Sequence, residues 1–350
     1  MVNNRIYICY LLFLTACAEE NTGIVFPKTT HLSVTNIYNN VDVYMRYPYR
    51  IRLADSVIFV MDLHAADYYI HKLSNEVSTK HISSYGKRGE GPEELLDAEN
   101  IRIDSDGRLW TLDANRHKLV MWDSCGQEET NLSPQLIRSL DFALMNDSTF
   151  IVPDYTGEHR ICLLNRNGDI IKQLFSIPDK RRHNTSCITL AQAWRSFIDY
   201  NPKTGILAVV TQLGQVLEIY NLKEERHIAS INIENGTPRF SEKESYAIPN
   251  GIMGYSDVHV SDNAIYALFW GYSFKDMQNG KVKQEGGNKL QVFDTKGIPV
   301  EEYILDRHIT GFCIDKTRNR LLALDTNSDQ PIIEYYLKVK YESKIDLSQN

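Results

Sequence analysis

Long apolar runs are scarce in this 350-residue sequence. The longest, Ile6 to Leu14, holds nine residues, whereas a membrane-spanning helix needs about 20. Basic residues are not gathered into a patch, and 38 Lys and Arg stand against 45 Asp and Glu for a net charge of -7. That balance excludes the clustered positive surface a nucleic-acid binder needs. The local signatures of common catalysts are missing too: there is no HExxH, no GxSxG and no CxxC. The ten histidines are scattered, and a lone histidine is more often a bonded structural residue than a ligand. Long amphipathic helical periodicity is nearly absent, which argues against a helical bundle or an α/β fold.

What is present begins at the N-terminus. Arg5 precedes the nine-residue apolar run, and Leu14-Thr15-Ala16-Cys17 follows, with polar residues directly after it. This is the grammar of a secretory signal that is cleaved rather than kept as a span. LTAC also resembles the lipobox of bacterial lipoproteins, which implies cleavage before Cys17 and acyl chains, palmitate among them, on that cysteine. Two or more chains anchor stably, since each buried methylene contributes about 0.8 kcal/mol. Ala18-Glu19-Glu20-Asn21 resembles the acidic export signal of surface lipoproteins in one Gram-negative lineage. Loss of residues 1–16 removes Arg5, so the mature charge is -8 (-7 minus 1). Cys125, Cys162, Cys187 and Cys313 then remain. Four cysteines permit three pairings, but a body of this size can form its core without staples, and free, mostly buried thiols are expected.

The rest of the chain repeats one unit six times: apolar strand, polar turn, second strand often closed by Asp, loop, third strand, turn, fourth strand. The first two strands align as YRIRLADSVIFVMD, IRIDSDGRLWTLD, LDFALMNDSTFIVPD, FIDYNPKTGILAVV, VHVSDNAIYALFWG and FCIDKTRNRLLALD. Their spacing of about 40 to 60 residues suits one propeller blade per unit. The expected fold is all-β, a six-bladed propeller with four-stranded antiparallel blades. Its domains are a signal peptide (1–16), a lipidated tether (17–30) and one propeller (31–345). A ring of blades has two edges where its ends meet, and an unpaired edge is an aggregation hazard. Residues near His31 to Tyr38 are expected to complete a sheet with C-terminal strands.

In such blades the first-to-second and third-to-fourth turns share one face, and the remaining loops share the other. All long insertions (85–100, 175–195, 232–257 and 271–288) fall on the second face, and long loops without their own repeat pattern are often functional. The sharpest is YGKRGEGPEELLDAENI, where Gly86, Gly89, Gly91 and Pro92 force a compact turn. It lacks the GK[ST] of a phosphate loop and the strand-loop-helix context of a dinucleotide loop. Its G-x-x-G-x-G-P-E-E spacing, with YSDVHVSDNAIYALFWG in the fifth unit, resembles the TolB-like six-bladed propeller lipoproteins. The resemblance implies fold and envelope location more than activity.

Candidate ligand-binding residues on this face are Arg88, Asp62, Asp113, Arg116, Trp270 and Tyr272. Arg88 could pair with an anion through its planar donors. Alternatively it fixes its own loop. Asp62, Asp113 and Asp325 close second strands and could ring a cation, or cap their loops by accepting N–H bonds. Asp104-Ser105-Asp106-Gly107 resembles the start of a calcium loop, but Asn115 stands at its twelfth position, so a hairpin turn is expected. Tyr155, His159, Arg182, His183, Trp194, Trp270 and Tyr272 supply aromatic and basic groups suited to sugar rings or peptide side chains. Trp270 and Tyr272 are favoured because they flank the long second-to-third loop of the fifth unit. Neither a cofactor nor a metal is expected. The expected function is an outer-membrane, cell-envelope lipoprotein, surface exposure being one possibility, that binds a glycan, peptide or protein partner without catalysis. The alternatives are a metal-dependent propeller hydrolase or lyase using Asp62 and Asp113, and an envelope-complex scaffold.

Overall fold

The computed structural model describes residues 23–39, 42–241 and 248–337. Cys17, the signal segment and residues 338–345 lie outside these described residues. Six sheets are arranged in sequence order around one axis, each a blade. Blade one is β3 (Pro48–Ala54), β4 (Val57–Asp62), β5 (Tyr68–Ser74) and β6 (His81–Lys87). Blade two is β7 (Ala98–Ile103), β8 (Leu109–Asp113), β9 (Lys118–Trp122) and β10 (Gln127–Asn131). Blade three is β11 (Ala143–Asn146), β12 (Thr149–Pro153), β13 (Ile161–Asn165) and β14 (Ile170–Leu174). Blade four is β15 (Ser196–Asn201), β16 (Ile206–Thr211), β17 (Leu217–Asn221) and β18 (Arg226–Ile231). Blade five is β19 (Tyr255–Val260), β20 (Ala264–Phe269), β21 (Gly287–Asp294) and β22 (Pro299–Ile309). Blade six is β23 (Phe312–Asp315), β24 (Arg320–Leu324) and β25 (Ile332–Tyr336).

The missing fourth strand of blade six comes from the other end of the chain. β2 (Asn36–Ile37) pairs antiparallel with β25, Asn36 opposite Glu334 and Ile37 opposite Ile333. Tyr38 follows, fully buried, and its hydroxyl meets Arg320 Nη1 at 2.6 Å and Glu334 at 3.2 Å. The segment expected to close one sheet in fact serves two. β1 (Thr29–Leu32) runs parallel to β22 and gives blade five a fifth strand.

The apolar patterning follows from where each strand sits. β8, β16, β20 and β24 are buried along their whole lengths, because neighbouring blades cover both sheet faces. Such strands have no solvent face and so no alternation. The outermost β10 and β14 are largely exposed and read polar, QEETN and IIKQL. An apolar cluster fills every junction between adjacent blades: Phe59, Met61 and Leu109 between one and two, for example, and Ile51, Val60 and Leu322 between six and one. Each fully buried side chain of this size contributes roughly 1.5–3 kcal/mol. A satellite cluster of Ile177, Leu190, Ala193, Trp194 and Val216 lies under the insertion that carries α1 (Cys187–Ala193).

The four thiols are free, but only Cys162 and Cys313 are buried, while Cys125 and Cys187 are exposed. Asp104 makes the expected hairpin turn: its carboxylate accepts the N–H groups of Asp106 and Arg108 at 3.0 and 2.9 Å.

Candidate functional site

The inner strands β3, β7, β11, β15, β19 and β23 all start on the long-loop face and run toward the short-turn face. Their first residues therefore converge on the axis at the long-loop mouth. There a cavity of about 360 Å³ opens, lined by Tyr47, Tyr49, Phe197, Tyr255 and Trp270, with the polar groups of His64, Gln212, Ser256 and Glu285. This size lies within the range of small-ligand sites, which combine aromatic walls with a few placed polar groups. The Tyr47 ring lies tilted at 5.2 Å from that of His64, and the Tyr255 ring likewise at 5.2 Å from that of Phe269. Burial, and after it the charge of Glu285, pushes the Tyr47 phenol well above its ordinary pKa, so it stays a neutral donor. Tyr255 is fixed from behind by its hydroxyl, which donates to Gln291 Oε1 at 2.7 Å. Two polar atoms on lining residues, Trp270 Nε1 and Ser256 Oγ, are buried and have no protein partner. Buried polar groups in native proteins are normally paired; these two atoms are unpaired but lie behind the cavity surface, out of contact with solvent.

Below the cavity the axis is closed by charge. Arg50, fully buried, sits with its guanidinium 3.8 Å from the Tyr49 ring centroid and 4.8 Å from that of Phe197. Arg52 forks onto Asp257 at 3.1 and 3.2 Å, and Arg102 donates to Asp141 at 2.8 Å. Burial alone would raise the Asp257 pKa, but Arg52 and Arg50 beside it hold its carboxyl below the usual range. The same carboxylates latch blade to blade. Asp141 of blade three accepts Ile198 N–H of blade four at 2.8 Å, Asp199 accepts Val260 N–H of blade five at 2.6 Å, and Asp257 accepts Phe312 N–H of blade six at 3.1 Å. The ion cluster is thus framework; it separates the cavity at the long-loop mouth from a wider opening of about 590 Å³ on the other side, which Arg52, Arg102, Asp199 and His259 line.

Of the residues singled out from sequence, Trp270 alone lines this cavity. Tyr272 lies one residue beyond Gly271 and bonds His308 Nε2 through its hydroxyl at 3.0 Å. Asp62 accepts the N–H groups of Arg46, Tyr47 and His64 at 2.7 to 3.1 Å, and so positions two cavity residues from outside. Asp113 accepts Leu96 and Arg116 N–H at 2.8 and 3.1 Å. Both carboxylates are capping their loops. Arg88 is exposed and donates to Ala65 O at 2.8 Å, away from the cavity lining. Arg116 holds the glycine loop, donating to Gly91 O and Glu94 O at 2.9 and 2.8 Å. Gly86 sits at φ +62° with Leu95 Cδ1 only 2.5 Å from where a Cβ would stand, which is why that turn needs glycine. Trp194 and Tyr155 are buried framework, Trp194 Nε1 donating to Asp179 at 2.9 Å and the Tyr155 hydroxyl to Ser196 O at 3.1 Å. The lining residues missed from sequence, Tyr47, Tyr49, Phe197 and Tyr255, share one signal: each stands within one residue of the start of an inner strand.

Comparison with known proteins decides the family. Residues 25–317 match the TolB-like 6-blade propeller-like family. The chain belongs to this family. Among solved structures, a Bacteroides fragilis protein thought to be exported superimposes with a TM-score of 0.53 at 12% identity, covering 89% of this chain and 99% of that one. Virginiamycin B lyase from Staphylococcus aureus gives a TM-score of 0.51 at 14% identity, covering 87% of this TolB-like chain and 99% of the lyase. At these identities the likeness is one of fold. The sequence has no significant match among curated proteins.

Proposed function

We propose that this TolB-like propeller is an exported lipoprotein of the outer membrane, anchored through acyl chains on Cys17, that captures a glycan or peptide on its long-loop face. The observation that carries the reading is the axial cavity, where five aromatic side chains share the wall with the polar groups of His64, Gln212 and Glu285. Aromatic faces pack on sugar rings or side chains, while the polar groups of His64, Gln212 and Glu285 fix orientation. The long insertions gathered on the same face extend the contact area available to a larger partner.

The alternative of a metal-dependent lyase draws on likeness of fold, which is a weak warrant for activity. The carboxylates it would use, Asp62 and Asp113, are each engaged by backbone N–H groups. Among the described residues, no three His, Cys, Asp or Glu side chains are grouped to hold a metal ion.

Binding is tested by screening the purified protein against glycan and peptide arrays beside a Trp270→Ala variant. Ligands bound by the parent and lost by the variant support the reading. Ligands retained equally by both place recognition elsewhere, and no ligand of either class removes the proposed activity. Metabolic labelling with a palmitate analogue, with Cys17→Ser as control, tests the anchor separately.

A further inference from the structure

The route by which the chain joins the disc bears on how the disc stands on its membrane. Gly23 begins the described chain, and Ile24 and Phe26 pack against the apolar cluster between blades four and five. The Phe26 ring lies 5.3 Å from that of Phe293 in an edge-on contact. Lys28 then pairs with Glu301 at 2.6 Å, and β1 adds to the outer edge of blade five. The N-terminal segment is therefore fastened to one side of the rim before the ring closes. Cys17 stands six residues before Gly23, a reach of at most about 20 Å.

The same rim carries side chains suited to a lipid surface. Val25, between the two packed residues, is 78% exposed, and Ile298, in the turn between β21 and β22, is 59% exposed. Lys28 and Lys296 flank them, Lys296 exposed and the Lys28 side chain 61% exposed despite its ion pair. Apolar groups beside a lysine are the composition of an interfacial contact, and Lys296 adds attraction to anionic headgroups, whereas the Lys28 charge is offset by Glu301. Blade two, diametrically opposite in a ring of six, is out of reach. Two blades of three inter-strand gaps each, at about 4.8 Å, plus the axial channel put it roughly 40 Å away.

We infer that the outer edge of blades four and five is the bilayer-contacting surface. The disc stands on this edge, and its long-loop face with the axial cavity opens sideways into water. The inference rests on the Cys17 anchor proposed above. It is tested with the full-length acylated protein, reconstituted in phosphatidylethanolamine–phosphatidylglycerol vesicles that carry a headgroup nitroxide quencher. One fluorophore is placed near the anchor (Lys296→Cys with Cys125→Ser and Cys187→Ser), and one opposite, on native Cys125 with Cys187→Ser. The near label is expected to lose most of its emission and the Cys125 label almost none. Equal quenching at both sites, or stronger quenching at Cys125, overturns the orientation while leaving the anchor standing. Failure of the wild-type protein to associate with vesicles, or unchanged association of Cys17→Ser, removes the anchor and the orientation with it.

Discussion

Replacing Arg160 by Met breaks the most completely buried ion pair of the propeller. Arg160 and Glu218 are both fully buried. The guanidinium binds Glu218 Oε1 through Nε at 2.9 Å and Nη2 at 2.7 Å, Ser196 Oγ at 2.6 Å and Trp194 O at 2.8 Å. It thus ties blade three to blade four and to the buried Trp194 that supports the α1 insertion. Removing it leaves the Glu218 carboxylate without its cation and with the Tyr220 hydroxyl, 2.6 Å away, as its remaining side-chain donor. Stranding one member of a buried pair costs about 3–5 kcal/mol. Unfolding entropy of about 2.1 cal/mol/K per residue gives a chain of this size about 0.7 kcal/mol/K. The melting temperature is then expected to fall by about 4–7 °C in calorimetry at pH 7. Arg160→Met with Glu218→Leu removes both charges and should recover most of the loss, because the cost lies in the uncompensated charge. A single variant that melts within about 2 °C of the parent, or a double variant that loses the sum of both singles, refutes this reasoning.

Three other perturbations have defined outcomes. Burial first, then the neighbouring charge of Asp97, raises Glu99 to about 7 against the attraction of Arg138. The folded chain then holds a proton that the unfolded chain has released, so this group's contribution to stability falls as pH rises from about 4.5 to about 7. Glu99→Gln should flatten that part of the pH–stability curve, and an unchanged slope in denaturant titrations contradicts it. Tyr38→Ala opens the closure between blades six and one and should cost about 3–5 kcal/mol in urea unfolding. Tyr38→Phe, losing only the hydroxyl contacts with Arg320, Glu334 and Asn75, should cost about 1–2 kcal/mol. Gly86→Ala places a methyl against Leu95 at positive φ and should cost about 1–3 kcal/mol. Wild-type stability in that variant would mean the glycine loop tolerates other geometries.

The blades were legible in the sequence because each repeats the same turn chemistry, and because strands buried on both faces read as continuous apolar runs. β16 and β20 show this plainly. The division of residues 29–38 between blades five and six was not legible, since nothing in THLSVTNIY distinguishes a parallel edge strand from an antiparallel one. The site was read in part. Trp270 was found because it borders a long loop, but Arg88 and Arg116 drew attention through charge while their donors are used on loop carbonyls. Tyr47, Tyr49, Phe197 and Tyr255 were passed over because local sequence does not reveal which aromatic of a blade ends nearest the axis. That placement depends on strand register relative to four or five other blades, a long-range property.

The account turns on the axial cavity being where a ligand sits. With a ligand recovered from the arrays, its dissociation constant is measured by titration calorimetry for the parent and for Trp270→Ala. Loss of an aromatic wall should weaken binding at least about tenfold, the loss expected of an anchoring contact. Equal affinity in a correctly folded Trp270→Ala protein would show that the cavity is not the binding site.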